Sequence, residues 1–217
     1  MTVIVIAKSP APGRVKTRLC PPCDPEQAAR LAEASLVDTL LAVAATPCTR
    51  RVLVLAGTPG PWLPAGFEVI PQRGDALDER LAHAFADVGA GGVLIGMDTP
   101  QVTPALLTAS LCALESPGVD AVLGPSLDGG WWAIGLRAPD PAVFLGVPMS
   151  TDRTGAAQHS RLRALGLRAA PLPRLRDVDE FDDALAVASD APDSRFAATL
   201  RPIAASLDAV RVSTAAP

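Results

Sequence analysis

The sequence predicts an α/β fold of three layers, in which a mostly parallel β-sheet is covered by helices on both faces. Short apolar runs rich in β-branched residues alternate with helical patterns from the first residues onward. Such alternation is typical of strand–helix–strand units joined by right-handed crossovers. The chain has 217 residues, of which 49% are hydrophobic, and this is enough to bury one large core.

Six apolar runs predict strands, because each is short and is bounded by turn-forming residues. Their sequences are TVIVIA, RRVLVLA, FEVIP, GVLIG, DAVLG and WWAIGL. In sheets of this kind, ligands bind beyond the carboxyl ends of the strands. The loops after the first, fourth and fifth runs are therefore the places where we expect functional residues.

The first helix is predicted to begin after Asp24, which would be its N-cap, with Pro25 at the first helical position and Gln27 completing a capping box. The segments ALDERLAHAFADV and TPALLTASLCAL show the same helical spacing of apolar residues. No repeat or linker divides the chain. We therefore expect one domain over residues 1–210, followed by a loose tail over residues 211–217.

The formal net charge of −4 argues against a general nucleic-acid or anionic membrane surface, since such partners select a broad excess of Lys and Arg. We therefore expect no nucleic-acid partner and no membrane partner. No apolar run approaches the length of a bilayer span, and the first residues lack the pattern of a signal peptide. These features predict a cytoplasmic protein.

Cys20 and Cys23 have the spacing of a redox or zinc pair. A closed zinc site needs two further ligands, however, and no second pair in the sequence repeats this spacing. The spacing alone therefore does not predict a metal or redox site. Cys48 and Cys112 stand alone and are expected to be small buried hydrophobes.

Four cations stand in the loop AKSPAPGRVKTRL after the first strand: Lys8, Arg14, Lys16 and Arg18. The prolines and the glycine of this loop would stiffen and turn the backbone, so that Lys16 and Arg18 point back over the strand ends, where backbone N–H groups also converge. The loop predicts a polyphosphate-binding site, although it lacks the spacing of a P-loop or a dinucleotide turn. The alternative is that the cations are simply solvated.

Acidic residues occur at three further predicted strand ends, of which the first and last hold Asp98 and the pair Asp177 and Asp179. Asp98 follows the fourth strand and could ligate Mg²⁺ or form an Asx turn before Pro100. Asp177 and Asp179 are two residues apart, so an extended chain would place both carboxylates on one face, able to share a cation. Alternatively, Asp179 is the N-cap of the following helix.

The segment GPSLDGGWWAIGL adds Asp128 and two glycines before a strand. Adjacent glycines let a ligand approach the backbone closely, but an ordinary hairpin turn uses Asp-Gly as well. Trp131 and Trp132 point to opposite faces of a strand, so at most one of them can border a cleft. Arg153, Arg161 and Arg163 favour an anionic acceptor, or they form the solvated face of a helix.

Six blocks in collinear order resemble the selenodomain-associated transferase family, which is glycosyltransferase-A-like, over roughly residues 3–185. The blocks are AKSPAPGRVKTRL, QRGDALDERLAHAF, GMDTPQV, GPSLDGGWWAIGL, VFLGVPMSTDRTGAAQHSRLRALGL and LRDVDEFDDAL. The resemblance implies the nucleotide-diphospho-sugar transferase fold. The opening loop is also similar to a loop of 2-phospholactate guanylyltransferases, and DVDEFDDAL to a motif of molybdenum-cofactor guanylyl- and cytidylyltransferases.

The resemblance implies a role for each group of residues, with Mg²⁺ or Mn²⁺ as the cofactor. The catalytic residues would be Lys16, Arg18 and Asp98. The two cations would hold phosphates, and Asp98 would hold the metal. The nucleotide would contact Ala7, Lys8, Pro12, Gly13, Arg14, Lys16, Arg18, Gln72 and Gly74. The acceptor would contact Asp128, Gly129, Gly130, Trp131 and Arg153. The metal would bind Asp98 together with Asp177 or Asp179.

Two departures from the family patterns matter. The segment GMDTP lacks the paired D-x-D of many glycosyltransferases, so Asp98 needs a metal partner elsewhere in the chain. In DVDEFDD, Glu180 and Phe181 stand where the resemblance implies Thr and Pro, which leaves the choice between Asp177 and Asp179 open.

Three functions follow from these residues. The first is nucleotidylyl transfer from a nucleoside triphosphate to a small anionic acceptor, in which cations stabilise the departing pyrophosphate. The second is glycosyl transfer from a nucleotide sugar, for which no histidine lies in a motif suited to activate an acceptor hydroxyl. The third is a non-catalytic nucleotide-binding module. The sequence leaves open whether the chain pairs as a homodimer.

Overall fold

The structure, a computed structural model, describes the backbone of residues 1–214 and the side chains of residues 1–207. Helices and strands alternate along most of the chain, as predicted. The strands are β1 (Thr2–Lys8), β2 (Arg50–Ala56), β3 (Glu68–Pro71), β4 (Gly92–Ile95), β5 (Ala121–Pro125), β6 (Trp131–Leu136) and β7 (Ala169–Pro171). The helices are α1 (Pro25–Ala45), α2 (Leu77–Val88), α3 (Pro104–Glu115), α4 (Thr154–Ala164), α5 (Phe181–Asp190) and α6 (Arg195–Thr214).

One sheet holds all of these strands, in the order β3-β2-β1-β4-β6-β5-β7. Neighbours are parallel except at β6, which is antiparallel to both β4 and β5. The predicted mostly parallel sheet is therefore confirmed. Strand β1 lies in the interior of the sheet between β2 and β4, and it pairs with β2 along its full length, from Thr2 opposite Arg50 to Lys8 opposite Ala56.

Apolar side chains alternate between the two faces of the sheet, and each face is covered by helices. Val3 and Val5 of β1 pack in the cluster that includes α1 and α3. Ile4 between them packs in the opposite cluster, with α2 and α4. Phe85 of α2 stacks there on Phe144, with ring centroids 5.4 Å apart. The three predicted layers are confirmed.

A third apolar cluster joins the outer side of α1 to α5 and α6, with Leu19 of the opening loop buried among them. The predicted cap of α1 is confirmed, because the Asp24 carboxylate accepts a hydrogen bond from Gln27 N at 2.7 Å and the Gln27 side chain accepts one from Asp24 N. The expected tail, residues 211–217, begins within α6, which runs to Thr214. Residues 215–217 lie outside the described part of the chain.

One of the two alternatives for Asp179 and the expectation for the lone cysteines are wrong. The N-cap of α5 is Glu180, paired in a capping box with Asp183, so Asp179 does not cap this helix. Cys112 is exposed on α3 and Cys48 is half-buried, whereas Cys23 is buried beside the half-buried Cys20. Within the described residues, no helix combines the length and the apolar character needed to cross a membrane.

Candidate functional site

A cavity of about 530 Å³ opens at the carboxyl ends of the central strands. Its walls come from the opening loop after β1, the loop after β4, the β5–β6 turn and the segment before α5, with α2 on one side and the start of α4 on the other. The loops that the sequence singled out therefore meet around one space. The predicted residues that line it are Ala7, Lys8, Arg14, Lys16, Arg18, Gln72, Asp98, Asp128, Gly130, Trp131, Asp177 and Asp179.

The opening loop reaches the cavity through two tight turns. Gly13 has a φ of 71°, and Arg14 N donates a hydrogen bond to the Ala11 carbonyl at 3.1 Å. Lys16 then adopts the left-handed conformation, with φ 48° and ψ 37°, immediately before the short 3₁₀ helix Thr17–Leu19. Because Leu19 is buried in the α1–α5–α6 cluster, it anchors the end of the loop and holds the preceding cations over the cavity.

Lys16 does not project freely into the cavity. Its ammonium lies 2.5 Å from the Asp98 carboxylate and also donates a hydrogen bond to the Val178 carbonyl. The Lys16 side chain is only 8% exposed, whereas that of Asp98 is 46% exposed. The lysine predicted to hold phosphate thus lies against the carboxylate predicted to hold metal.

Arg18 makes a second ion pair, which joins the opening loop to Asp179 in the segment before α5. Both of these side chains are substantially exposed, so the pair is screened by water and contributes little to stability. Lys8 and Arg14 also line the cavity, and neither forms an ion pair with any side chain that the structure describes. These two cations remain available to an anionic ligand.

Backbone and side-chain hydrogen bonds hold the segment before α5 against the loop after β4. Val178 N donates to the Asp98 carbonyl at 2.9 Å. Gln101 Nε2 donates to the Arg176 carbonyl at 2.7 Å. These bonds fix Asp177 relative to Asp98, although the two residues lie on different loops.

Asp177 is the most perturbed carboxyl group of the cavity. The pKa of Asp177 is raised to about 7, first by burial and also by the negative charges of Asp98 and Asp128, while the Ser126 hydrogen bond and the Lys16 charge oppose the shift. The Ser126 hydroxyl donates a hydrogen bond to Asp177 Oδ1 at 2.9 Å. A cation bound beside Asp177 would favour its charged form and oppose this shift.

The β5–β6 turn supplies Asp128, whose carboxylate accepts a hydrogen bond from Gly130 N at 2.9 Å. This segment therefore forms a hairpin turn and also part of the cavity wall. Gly129 has a φ of 89°, and its carbonyl accepts a hydrogen bond from Gly155 N at 2.8 Å. A Cβ at Gly129 would lie 2.1 Å from the Asp152 carbonyl oxygen, so this position requires glycine.

The two tryptophans pack in clusters on opposite faces of the sheet, as the strand geometry predicts, although both line the cavity. Trp132 is 2% exposed and donates its indole N–H to the Pro173 carbonyl at 2.9 Å. Trp131 is half-buried at the cavity wall, and its indole N–H has no partner among the described residues. Trp131 is therefore the tryptophan whose side chain can contact a ligand.

The remaining predicted residues support the walls instead of lining them. Pro12 and Gly13 form the exposed turn before Arg14. Gly74, with a φ of 106°, offers its carbonyl to Arg80 Nε at 3.0 Å. Arg153 is exposed directly before α4.

Gln72 lines the cavity, but its amide nitrogen is already occupied. Gln72 Nε2 donates to the carbonyl of Ala7 at 2.6 Å and to that of Val54 at 3.1 Å. Only its side-chain oxygen remains for a ligand. Gln72 therefore fixes the ends of β1 and β2 at the cavity floor.

Several lining residues were not predicted from the sequence. Arg80 of α2 is the main one, since its guanidinium holds the carbonyls of Gly74 and Asp75 at 3.0 Å each. It belongs to the block QRGDALDERLAHAF, which was the signal available. Others are Leu77, Leu81, Met149, Ser150, Thr151 and Thr154. Ser150 has a φ of 58°, unusual for a residue other than glycine.

The carboxylates of the cavity fit a metal only in part. Among the described side chains, no three His, Cys, Asp or Glu residues lie close enough together to hold a metal ion. Mg²⁺, however, usually takes one or two protein carboxylates and completes its shell with substrate phosphates and water. Asp98 and Asp177 meet that requirement, because they face one space and their charges repel each other.

Comparison with known proteins gives the family and the fold of this chain. The family model described as "Uncharacterized protein conserved in bacteria (DUF2064)" matches residues 28–151. A phosphoenolpyruvate guanylyltransferase from Conexibacter woesei is 34% identical over 167 residues, which are 70% of this chain and 72% of the relative.

Among solved structures, a candidate nucleotide-diphospho-sugar transferase from Desulfovibrio desulfuricans G20 superimposes with a TM-score of 0.83 at 27% identity, covering 95% of this chain and 96% of the other. A cytidylyltransferase from Leptospira borgpetersenii shares the fold, with a TM-score of 0.57 at 12% identity, covering 94% of this chain and 93% of the other.

The expected nucleotide-diphospho-sugar transferase fold is therefore confirmed, and the relatives and structural neighbours show that the chain is a transferase. The family that matches carries a different description from the selenodomain-associated family expected from the motifs. The chain belongs to the DUF2064 family.

Proposed function

We propose that this chain transfers a nucleotidyl group from a nucleoside triphosphate to a small anionic acceptor and releases pyrophosphate. The observation that supports this most is the composition of one cavity, in which the cations of the opening loop face the carboxylates of Asp98 and Asp177. A triphosphate bound with a divalent cation needs both kinds of group within a few ångströms.

In this proposal, Lys8 and Arg14 contact the phosphates first, because they are exposed and free of ion pairs among the described side chains. Lys16 and Arg18 join them once their own carboxylate partners are otherwise satisfied. Charge-assisted hydrogen bonds to phosphate oxygens would then stabilise the negative charge that develops on the leaving pyrophosphate.

Asp98 and Asp177 would hold Mg²⁺ or Mn²⁺, with Ser126 orienting Asp177. A bound divalent cation would neutralise the phosphate charge and align the α-phosphate for attack. Asp179, tied to Arg18 at the rim, is the weaker candidate ligand. The structure thus favours Asp177 in the choice that the sequence left open.

The reaction would proceed as an in-line displacement. An acceptor oxygen attacks the α-phosphorus, a new P–O bond forms, and the bond to the bridging oxygen breaks, so that the bridging oxygen leaves with pyrophosphate. The acceptor would lie on the wall formed by Asp128, Gly130 and Trp131, with Ser150 and Thr151 beside it. Gly129 and Arg153 would support this wall from outside the cavity.

The first substrates to test are GTP and phosphoenolpyruvate, because the Conexibacter woesei relative is named as a phosphoenolpyruvate guanylyltransferase. The protein is incubated with Mg²⁺, each of the four common nucleoside triphosphates, and phosphoenolpyruvate or other small phosphorylated acids. Pyrophosphate that appears only when the acceptor is present would support the proposal. Size-exclusion chromatography of the same preparation tests for a homodimer.

Glycosyl transfer is the second candidate, favoured by the similarity to the candidate nucleotide-diphospho-sugar transferase from Desulfovibrio desulfuricans G20. The same assay separates the two reactions. Release of nucleoside diphosphate from nucleotide sugars, with no pyrophosphate from any triphosphate, would replace nucleotidylyl transfer by glycosyl transfer. A protein that binds nucleotide but releases neither product would be a non-catalytic module.

A further inference from the structure

The Lys16 ammonium occupies a place surrounded by oxygen atoms. It contacts the Asp98 carboxylate at 2.5 Å and the Val178 carbonyl, and its charge also lowers the pKa of Asp177. The side chain is almost fully buried at this position. Lys16 thus forms an ion pair with Asp98 inside the cavity.

These oxygen atoms are also the type of ligand that a divalent cation prefers. A cation bound by Asp98 would stand a few ångströms from the ammonium, and two positive charges at that separation repel each other strongly in a partly buried site. Lys16 and a metal therefore cannot both bind Asp98 in the observed arrangement.

We propose that Lys16 and the divalent cation compete for Asp98, and that the phosphates of the nucleotide open the site to the metal by drawing the Lys16 ammonium away. The proposal rests on the proposed function only in requiring that a nucleotide binds in the cavity. It makes Lys16 the residue that couples metal binding to nucleotide binding, so that each ligand strengthens the other.

The loop around Lys16 can allow this exchange. Lys16 stands between Arg14 and Arg18, which both line the cavity, and its flexible four-carbon side chain can redirect the ammonium without moving Leu19. Phosphate oxygens bound by Lys8 and Arg14 would offer the ammonium a new anionic partner close to the old one.

The first test measures metal affinity without nucleotide. Mn²⁺ binding is followed by electron paramagnetic resonance in the wild-type protein, in Lys16→Met and in the matched control Lys8→Met, which removes the same charge from an exposed position at the end of β1. We expect Lys16→Met to bind Mn²⁺ about tenfold more tightly than wild type, equivalent to ~1.4 kcal/mol. Lys8→Met should change the affinity far less.

With a non-hydrolysable triphosphate present, wild type should gain Mn²⁺ affinity by a larger factor than Lys16→Met does, because only wild type has an ammonium to displace. Equal gains in the two proteins would contradict the coupling. A Lys16→Met protein that binds free Mn²⁺ no more tightly than Lys8→Met would overturn the competition.

A second measurement uses the wild-type chain and does not depend on how the variant folds. Lys8 and Lys16 are the only lysines in the sequence, so protein labelled with ¹⁵N at lysine Nζ gives two side-chain signals, which Lys8→Met assigns. Saturating Mg²⁺ should shift the Lys16 signal and leave the Lys8 signal nearly unchanged. An unmoved Lys16 signal at saturation would refute the proposal.

Neither measurement involves turnover. A failure of the competition would leave pyrophosphate formation intact, and a chain that forms no pyrophosphate could still show the competition. The two proposals therefore fail independently.

Discussion

Asp177 and Asp179 are separated by one residue, but their side chains have different partners. Asp177 accepts a hydrogen bond from Ser126 and lies near the charges of Asp98 and Asp128. Asp179 pairs with the exposed Arg18. One carboxylate is held inside the cavity and the other ties the opening loop to its rim.

We expect Asp177→Asn to abolish metal-dependent nucleotide binding, as Asp98→Asn should, because the amide keeps the shape and loses the charge that a cation requires. Asp179→Asn should weaken nucleotide binding by at most about 1 kcal/mol, because an exposed ion pair contributes no more than this. Isothermal titration of each variant with a triphosphate and Mg²⁺ measures the difference. Stronger binding loss in Asp179→Asn than in Asp177→Asn would reverse the assignment.

Gly129 can be tested against a control with the same backbone angle. Gly129 and Gly66 both have φ 89°, but a Cβ at Gly66 meets nothing within 4 Å, whereas at Gly129 it would clash with the Asp152 carbonyl. Both alanine variants should lose about 1–3 kcal/mol of unfolding free energy because of the backbone strain. Gly129→Ala should lose a further ~1–3 kcal/mol of unfolding free energy because of the clash. Urea unfolding of both variants measures the two losses. Equal losses would show that the turn shifts to accommodate the added Cβ.

We expect the thiols of Cys20 and Cys23 to react slowly with alkylating reagents. The pKa of the Cys20 thiol is raised and that of Cys23 is raised to about 11, in both cases first by burial and then by neighbouring negative charges. Since the thiolate is the reactive form, iodoacetamide at pH 7.5 should modify the exposed Cys112 first and Cys23 last. Peptide mapping by mass spectrometry gives the order, and urea-unfolded protein, in which all sites are accessible, is the control.

A side chain of α1 holds the start of α6. The Asp38 carboxylate accepts hydrogen bonds from Arg195 N at 3.2 Å and Phe196 N at 2.8 Å. Asp38→Ala should therefore destabilise the protein by about 1–2 kcal/mol, the cost of losing a helix cap. Asp193→Ala, which removes an exposed carboxylate near the same helix end, should have little effect in the same denaturation experiment.

Burial raises the pKa of Asp38 above its ordinary value of 3.8, although the two backbone N–H groups oppose this shift. A carboxyl group with a raised folded-state pKa favours folding most below its unfolded pKa, and this contribution is lost as the pH rises through the folded pKa. The free energy of unfolding of wild type should therefore fall relative to that of Asp38→Asn across this interval. A constant difference between pH 3 and pH 7 would contradict the shift.

Most elements were predictable because apolar periodicity and caps are local. β7 was missed, since Ala169–Pro171 is short and has no β-branched residue. The antiparallel direction of β6 was not predictable either, because an apolar run carries no information about strand direction. Likewise the cavity residues could be named, but the Lys16–Asp98 ion pair could not, because it depends on how separate loops pack.

The segment matched by the family model lacks an interior strand of the sheet and part of the candidate site. It covers residues 28–151, whereas β1, the interior strand between β2 and β4, lies before it and Asp177 lies after it. Removing an interior strand exposes apolar faces and unpaired backbone groups on both neighbours.

We therefore expect a fragment of residues 28–151 to show no cooperative thermal unfolding and no nucleotide binding, while residues 1–207 retain both. Circular dichroism on heating and titration with a triphosphate and Mg²⁺ distinguish the outcomes. A cooperative transition in the short fragment would show that β1 is dispensable.

The two ion pairs of the opening loop also order events during synthesis. Lys16 and Arg18 contact residues that lie 162 and 161 positions later in the chain. On the ribosome, the cations emerge first. Lys16 has no carboxylate partner until Asp98 has followed, and its contact with the Val178 carbonyl and the partner of Arg18, Asp179, come later still. A nascent chain can begin to form its sheet early, but it can acquire its complete set of nucleotide-binding groups only after nearly all the strands and helices have been translated.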